Sequence, residues 1–138
     1  MAQHNLKVND SIEINASPDL VFSYFTNAEK IAKWWSKSAR CDARQNGTLV
    51  FNWENGTSLE TQFKVFRLND RLYFPFGPEF VEVIFKANKS KTILSVCHSN
   101  IIIEDNDFSL LIHITQSWSF LLINLKMFIE HNIDLRIS

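Results

Sequence analysis

The residues best suited to chemistry are the histidines, and the chain contains four: His4, His98, His113 and His131. None of them is spaced from another His or from a Cys in the way that metal ligands are. The sequence therefore predicts no metal site. His98 is the strongest functional candidate, because strand alternation places it on the same face as Leu94 and Val96.

Neither cysteine lies in a motif for nucleophilic or redox chemistry. Cys41 and Cys97 show no CxxC spacing and no nucleophile signature. Because residues 1–10 are polar and carry no export signal, we expect both to be free thiols in a cytoplasmic protein. Arg40 and Arg44 flank Cys41 in sequence, and they would lower the pKa of its thiol if the three side chains were close.

The carboxylates do not form a recognisable acid/base pair. A general acid or base needs a carboxyl group held in an apolar site. Those of this chain fall in predicted turns or on predicted outer strand faces, where we expect them to be solvated: Glu54, Glu60, Asp70, Glu79 and Glu82. A glycine-rich phosphate loop is also missing from the sequence. We therefore predict no catalytic residue and no cofactor.

Aromatic residues dominate the remaining candidates, with twelve Phe and four Trp among 138 residues. They either fill the core or line an apolar ligand cavity, and the sequence leaves both alternatives open. Polar candidates near such a cavity are Tyr73, His98, Gln116 and Arg40. The predicted ligand-binding residues are Trp34, Trp35, Trp53, Phe63, Tyr73, Phe74, Phe85, His98, Trp118 and Leu122.

The elements that must position these residues follow from patterning. Residues 6–15 alternate as a half-buried strand. Ser17 before Pro18 then predicts a helix start, and Asn27 predicts the cap of a second short helix that ends at Trp34 and Trp35. Five strands follow, at about residues 49–53, 59–65, 72–76, 81–85 and 91–98, separated by turn signals such as Asn-Gly.

The end of the chain predicts one long apolar helix. Residues 101–107 fit either a strand extension or a loop, and helical periodicity begins near Phe108. We expect the helix to run through residues 118–136. Its apolar residues lie on several sides, so the helix is either deeply buried or shared between the sheet and a partner.

Bulk properties exclude several classes of function. The net charge is −1 with both signs scattered, which argues against a nucleic-acid surface or a basic membrane-binding face. The apolar stretch 112–129 is interrupted by polar residues, so it does not predict a transmembrane helix. The length fits one domain over residues 1–138.

Several segments occur together in a familiar order and spacing over residues 10–136: Ser17-Pro18-Asp19-Leu20-Val21-Phe22, Lys33-Trp34-Trp35, residues 47–53, 63–72 and 92–96, Trp118, Asn124-Leu125 and Asp134-Leu135-Arg136. In this order the chain resembles the family related to the activator of heat-shock protein 90 ATPase (AHSA-like), within the START-like (SRPBCC) superfamily. Two positions depart from the family pattern. Ser117 precedes the helix Trp where a Gly is common, and Asn46-Gly47 replaces a double Gly.

The resemblance implies an α+β helix-grip fold. A curved antiparallel sheet would carry a short N-terminal helix pair and a long C-terminal helix, with an apolar cavity between sheet and helix. Superfamily members include lipid carriers, aromatase- or cyclase-like enzymes and hormone receptors. ATPase stimulation is not expected, because the co-chaperone that named the family has an additional N-terminal domain for which this chain has no room.

Three hypotheses of function follow. The first is a non-enzymatic domain that binds a hydrophobic or amphipathic small molecule in the cavity. The second is a protein-interaction module, chaperone-associated or self-associating, that uses the exposed side of the last helix. The third is an enzyme acting on an aromatic or polyketide-like substrate with His98 or Tyr73 as acid or base. A polar pair converging in the cavity would favour the enzyme, and an exposed apolar patch would favour the interaction module.

Overall fold

The computed structural model of the chain describes residues 2–136, which form eight strands and three helices. All strand pairings are antiparallel. The elements in chain order are β1 (Gln3–Ile14), α1 (Pro18–Thr26), α2 (Ala28–Trp34), β2 (Ser38–Cys41), β3 (Thr48–Asn52), β4 (Ser58–Gln62), β5 (Val65–Arg67), β6 (Arg71–Phe76), β7 (Glu79–Asn88), β8 (Lys91–Glu104) and α3 (Ser109–His131). The predicted α+β helix-grip architecture, a curved antiparallel sheet with a short helix pair and a long C-terminal helix, is confirmed.

The strands form a five-stranded sheet, β1-β8-β7-β6-β5, and a three-stranded sheet, β2-β3-β4. The predicted strand over residues 59–65 is wrong as a single element, because the chain changes partner in the middle of it. The Phe63 amide donates to the Gly47 carbonyl at 3.1 Å, whereas the Lys64 amide donates to the Tyr73 carbonyl at 2.8 Å. The bend at residues 63–64 thus joins the two sheets. β2 is a strand that the sequence patterning did not predict.

A β-bulge interrupts the pairing of β1 with β8. Leu6 is opposite Ile101 but Val8 is opposite His98, so β8 carries one extra residue there, and Asn100 adopts the left-handed region with φ 61°. A bulge shifts the alternation of a strand by one residue. His98 and Ile101 therefore both point inward. This shift explains why residues 101–107 were ambiguous, and the structure places residues 101–104 in the strand.

The helix boundaries follow local chemistry. Pro18 occupies the first turn of α1, and the Asn27 side chain accepts from the Lys30 amide at 3.1 Å to cap α2, as predicted. The prediction that the last helix runs to residue 136 is wrong, because Asn132 adopts a left-handed conformation that ends α3 at His131. Asn46 is also left-handed, with φ 63°, a conformation that Asn tolerates and that explains its place beside Gly47.

The long helix α3 buries one side against the sheet and leaves the other exposed. Ile114, Trp118, Leu122 and Leu125 belong to the core, together with the inward residues of the strands. Within residues 2–136, no helix is both long and apolar enough to cross a membrane.

Asn124 is a fully buried polar residue on α3, and it organises the C-terminal end of the fold. Its Nδ2 donates to the Trp34 carbonyl at 2.9 Å and to the Asp134 carboxylate at 3.1 Å. Its Oδ1 accepts from the Leu135 amide at 2.6 Å. One side chain therefore connects α3 to the end of α2 and to the segment that follows α3.

Arg136 completes this connection from the other side. Its guanidinium donates to the carbonyls of Ala32 and Ser36, both at 3.0 Å, and pairs with Asp134 at 2.9 Å. A cation at the carbonyl end of a helix is favourable. The contacts hold the end of α2, and with it Trp35, in a fixed position.

Replacing Asn124 by Ala should lower the free energy of unfolding by about 2 kcal/mol or more, because buried polar groups lose their partners. Urea unfolding followed by tryptophan fluorescence measures this change. Gln116→Ala is the matched control on the exposed side of α3, and it should change stability by less than about 0.5 kcal/mol. Equal effects of the two substitutions would contradict the assigned role of Asn124.

Candidate ligand-binding groove

A groove of about 680 Å³ lies between the N-terminal half of α3 and the neighbouring ends of β3, β6 and β7. Four of the aromatic side chains that line it form one wall: Trp35, Trp53, Phe76 and Trp118. We call this space the groove. Its volume falls within the range of roughly 300–1,000 Å³ in which proteins bind small molecules.

The aromatic side chains of the wall form a continuous row in which each ring contacts the next. The rings of Trp118 and Trp35 meet edge to face with centroids 5.4 Å apart, and Trp35 is nearly parallel to Phe76 at 6.0 Å. Phe76 in turn meets Trp53 at 6.1 Å. Such pairs hold one another in place. The wall is thus a continuous aromatic surface built from the residue after α2, the residue after β3, the end of β6 and the middle of α3.

A polar chain of three residues crosses the base of this surface. Trp118 Nε1 donates to His98 Nδ1 at 2.9 Å, and His98 Nε2 lies 3.2 Å from Glu79 Oε1. An indole N–H can only donate, so His98 Nδ1 must accept. A neutral His98 therefore carries its proton on Nε2 and donates it to the Glu79 carboxylate.

The bulge in β8 and the β6–β7 turn position this chain. Asn100 Nδ2 donates to the Pro78 carbonyl at 2.9 Å, which ties the bulge to the residue before Glu79. Glu79 is also the cross-strand partner of Phe76. His98 comes directly before the bulge, and it is 3% exposed. Backbone contacts on both strands therefore fix the distance between the imidazole and the carboxylate.

Burial keeps His98 neutral. Loss of solvation lowers the pKa of the His98 imidazole, and the hydrogen bond and negative charge of Glu79 oppose this shift only in part. Protonation would also place an N–H on Nδ1, facing the indole N–H of Trp118. The neutral tautomer is the form that satisfies all three side chains.

The mouth of the groove mixes apolar and charged side chains. Leu110, Phe120 and Leu121 line it from α3, whereas Lys37 and Arg136 bring positive charge. The Arg136 guanidinium is already engaged by Asp134 and by backbone carbonyls. The structure also places Glu54 and His113 there.

Four of the ten predicted ligand-binding residues meet in the groove: Trp35, Trp53, His98 and Trp118. Five others lie in the closed core away from it: Trp34, Phe63, Phe74, Phe85 and Leu122. Trp34, for example, is fully buried, and its indole N–H donates to the Tyr24 carbonyl at 2.9 Å. The aromatic residues therefore divide between the two alternatives that the sequence left open, because most fill the core and a few line a groove.

Tyr73 and the other polar candidates lie elsewhere. Tyr73 points to the outer face of β6, between the inward-facing Leu72 and Phe74, and stacks on Phe80 with ring centroids 5.7 Å apart. Gln116 is exposed on α3 and Arg40 lies on β2, and neither lines the groove. Of the polar candidates, His98 is the one that reaches it.

Phe76, Glu79 and Arg136 also line the groove, although the sequence patterning did not predict them there, and the expectation that Glu79 is solvated is wrong. Only 16% of the Glu79 side chain is exposed. The sequence does contain a signal for the position of Glu79. A two-residue turn at Gly77-Pro78 pairs Glu79 with Phe76, which shares the inward parity of Phe74. Arg136 could not be placed without the fold.

Cys41 does not have the lowered pKa that nearby arginines would have given it. Burial and the neighbouring Asp42 raise the pKa of the Cys41 thiol to about 12, and the Arg44 guanidinium pairs with Asp42 at 2.7 Å. This environment does not activate the thiol. Cys41 and Cys97 are both free. Among residues 2–136, no three His, Cys, Asp or Glu side chains cluster as a metal site requires.

Comparison with known proteins places the chain in a family. Residues 5–87 match the family described as "Polyketide cyclase / dehydrase and lipid transport". The chain belongs to this family, which confirms the START-like resemblance. A search of curated proteins found no match.

Solved structures show the same fold at low sequence identity. Protein SSP2350 from Staphylococcus saprophyticus superposes with a TM-score of 0.85 at 20% identity, covering 95% of this chain and 96% of that one. The Aha1 dimer from Colwellia psychrerythraea superposes with a TM-score of 0.79 at 22% identity, covering 91% of this chain and 97% of that one. An AHSA1-like protein from Aeromonas hydrophila superposes with a TM-score of 0.71 at 18% identity, covering 91% of this chain and 94% of that one.

The His98 environment predicts a pH-dependent stability. In the unfolded chain a histidine takes up a proton near pH 6.5, whereas folded His98 does so only at lower pH. His98 therefore contributes its full stability above about pH 6.5 and loses it as the pH falls below that value, by at most about 1.4 kcal/mol per pH unit.

Urea unfolding of the wild type and of His98→Gln between about pH 5 and pH 7.5 measures this contribution. Gln retains an acceptor and a donor but does not titrate. The stability of the variant should fall less over this interval than that of the wild type. Parallel pH profiles would contradict the assignment of His98 as a buried neutral imidazole.

Proposed function

We propose that the protein binds a small hydrophobic or amphipathic molecule in the groove, with no catalytic step. The observation that carries this proposal is the continuous aromatic wall around a space of about 680 Å³. Covering apolar surface releases free energy, and Trp53 and Phe76 are the partly exposed members of the wall, whereas Trp35 and Trp118 are 6% and 3% exposed and close it from behind. A flat ring system or an acyl chain has the matching chemistry.

The family assignment supports the same class of ligand. Its description names lipid transport, and a lipid has the apolar surface that an aromatic groove binds.

The enzyme hypothesis gains one element from the geometry, since His98 and Glu79 converge in the groove. Both ring nitrogens of His98 are already hydrogen-bonded, however, and Tyr73 faces the opposite side of the sheet. Neither His98 nor Tyr73, the two predicted acid/base residues, therefore offers a free group to a bound molecule. Binding is the function that these contacts favour.

Titration with the uncharged fluorescent probe N-phenyl-1-naphthylamine tests the proposal. The wild type should show saturable binding. Trp53→Ala removes part of the wall and Ser117→Phe fills the groove from α3, and each should raise Kd by roughly tenfold or more. Both positions are partly exposed, so we expect the variants to fold.

Tyr73→Ala is the matched control, because it removes an aromatic ring from the outer face of the sheet. It should leave Kd within roughly a factor of two. No saturable binding by the wild type, or an equal loss in Tyr73→Ala, would overturn the proposal.

A second candidate function is self-association through the outer side of α3. Ile112, Phe120 and Ile123 are 53%, 43% and 48% exposed. Residues 108–125 contain no Asp, Glu, Lys or Arg, so this face is apolar, uncharged and compatible with a second copy of itself. The similar Aha1 from Colwellia psychrerythraea is described as a dimer. We propose a second copy of this chain as the occupant.

Light scattering coupled to size-exclusion chromatography tests this candidate. The wild type should elute with the mass of a dimer, and Ile123→Lys should elute as a monomer because a charge enters the apolar contact. Ile102→Lys is the control, since Ile102 is 41% exposed on β8. A monomeric wild type, or dissociation by both substitutions, would rule out this face as the interface.

A further inference from the structure

One polar group inside the groove has unused hydrogen-bonding capacity. Glu79 Oε1 is occupied by His98 Nε2, but among residues 2–136 Glu79 Oε2 has no hydrogen-bond partner. The buried side-chain oxygens and nitrogens of residues 2–136 all have partners, so Oε2 is an accessible atom of a residue that lines the groove. The Glu79 side chain is 16% exposed, and Glu79 pairs across the strands with Phe76 of the aromatic wall.

We infer that Glu79 is the anchor of the groove and that it selects apolar ligands carrying a hydroxyl or amino hydrogen-bond donor. This inference rests on the proposed function. An ionised carboxylate only accepts hydrogen bonds, so its partner on the ligand must donate. A hydrogen bond to a charged acceptor in a largely apolar surrounding is stronger than one between neutral groups.

His98 and Trp118 act as positioning residues for this anchor. Trp118 makes His98 Nδ1 the acceptor and so leaves Nε2–H directed at Glu79 Oε1. This contact holds the carboxylate in one orientation, with Oε2 directed away from the imidazole. An anchor already held in place loses less conformational freedom when a ligand binds.

The other charges of the groove do not duplicate the anchor. Arg136 is neutralised by Asp134, and Lys37 and Glu54 lie at the solvent-exposed mouth. An acidic ligand would meet repulsion from Glu79 at the base and attraction from Lys37 at the mouth. The preference of the groove between a ligand that carries a hydrogen-bond donor and an acidic ligand therefore shows whether Glu79 or Lys37 selects the ligand.

Three probes of nearly equal shape separate these outcomes: 2-naphthol, 2-methoxynaphthalene and 2-naphthoate. We expect 2-naphthol to bind roughly tenfold to a hundredfold more tightly than 2-methoxynaphthalene, which has no donor. 2-Naphthoate should bind more weakly than 2-naphthol. Isothermal titration at neutral pH measures all three Kd values.

Glu79→Gln is the decisive variant, because it should invert the preference. The Gln carbonyl can accept from His98 Nε2–H, which turns its NH2 group toward the groove as a donor. The variant should therefore lose affinity for 2-naphthol and gain affinity for 2-naphthoate. Glu60→Gln, at an exposed position of β4 outside the groove, is the control, and its preferences should match those of the wild type.

Glu79→Asp provides a second variant that keeps the charge. Its shorter side chain withdraws the carboxylate, so the preference for 2-naphthol should shrink without inverting. Near-ultraviolet circular dichroism confirms that each variant retains its aromatic packing.

The remaining outcomes overturn the inference in distinguishable ways. Equal Kd values for the three probes, unchanged in Glu79→Gln, would remove Glu79 as the anchor but leave the groove as a binding site. Tightest binding of 2-naphthoate by the wild type would assign selection to Lys37. Binding of no probe, together with no binding of N-phenyl-1-naphthylamine, would overturn both the anchor and the proposed function.

Discussion

The hydrogen bond from Trp118 to His98 is the interaction on which the site depends. It joins α3 to the sheet between two side chains that are each 3% exposed. Because an indole can only donate, this one contact decides which imidazole nitrogen carries the proton and therefore which group faces Glu79. The relative positions of α3, β8 and the β6–β7 turn thus determine the orientation of the Glu79 carboxylate.

The groove lies beside the N-terminal half of α3, because hydrogen bonds and core packing hold the C-terminal half in place. Asn124 and Arg136 connect the C-terminal half of the helix to the end of α2, and Leu122 and Leu125 fill the space beneath it. The residues that line the groove from α3 all come from positions 110–121. Close packing at one end of α3 and the groove at the other are compatible with ligand binding that leaves the core intact.

Much of the architecture could be predicted from the sequence, because it is encoded by local signals. Alternation gave most of the strands, Pro18 and Asn27 marked the helix starts, and Asn-Gly pairs marked turns. The failures occurred where tertiary contacts override a local pattern. The bend at residues 63–64 depends on two different partner strands, and the left-handed Asn132 ends a helix whose apolar pattern continues.

The site was predictable only in part, for a related reason. Strand parity was sufficient to turn His98 inward, but the aromatic residues of the core and of the groove are the same residue types. Trp34 and Trp35 are adjacent, yet one is sealed in the core and the other lines the groove. Composition cannot make that distinction, since it depends on α2 ending at Trp34, so that Trp35 begins the segment that follows the helix.

Native mass spectrometry of the freshly purified protein, followed by extraction and identification of any bound molecule, tests the central claim most directly. We predict a stoichiometric adduct of an apolar or amphipathic small molecule that carries a hydroxyl or amino group, and a lower occupancy of that adduct in Ser117→Phe. An adduct that Ser117→Phe retains in full would contradict the claim, because the ligand would then bind outside the groove.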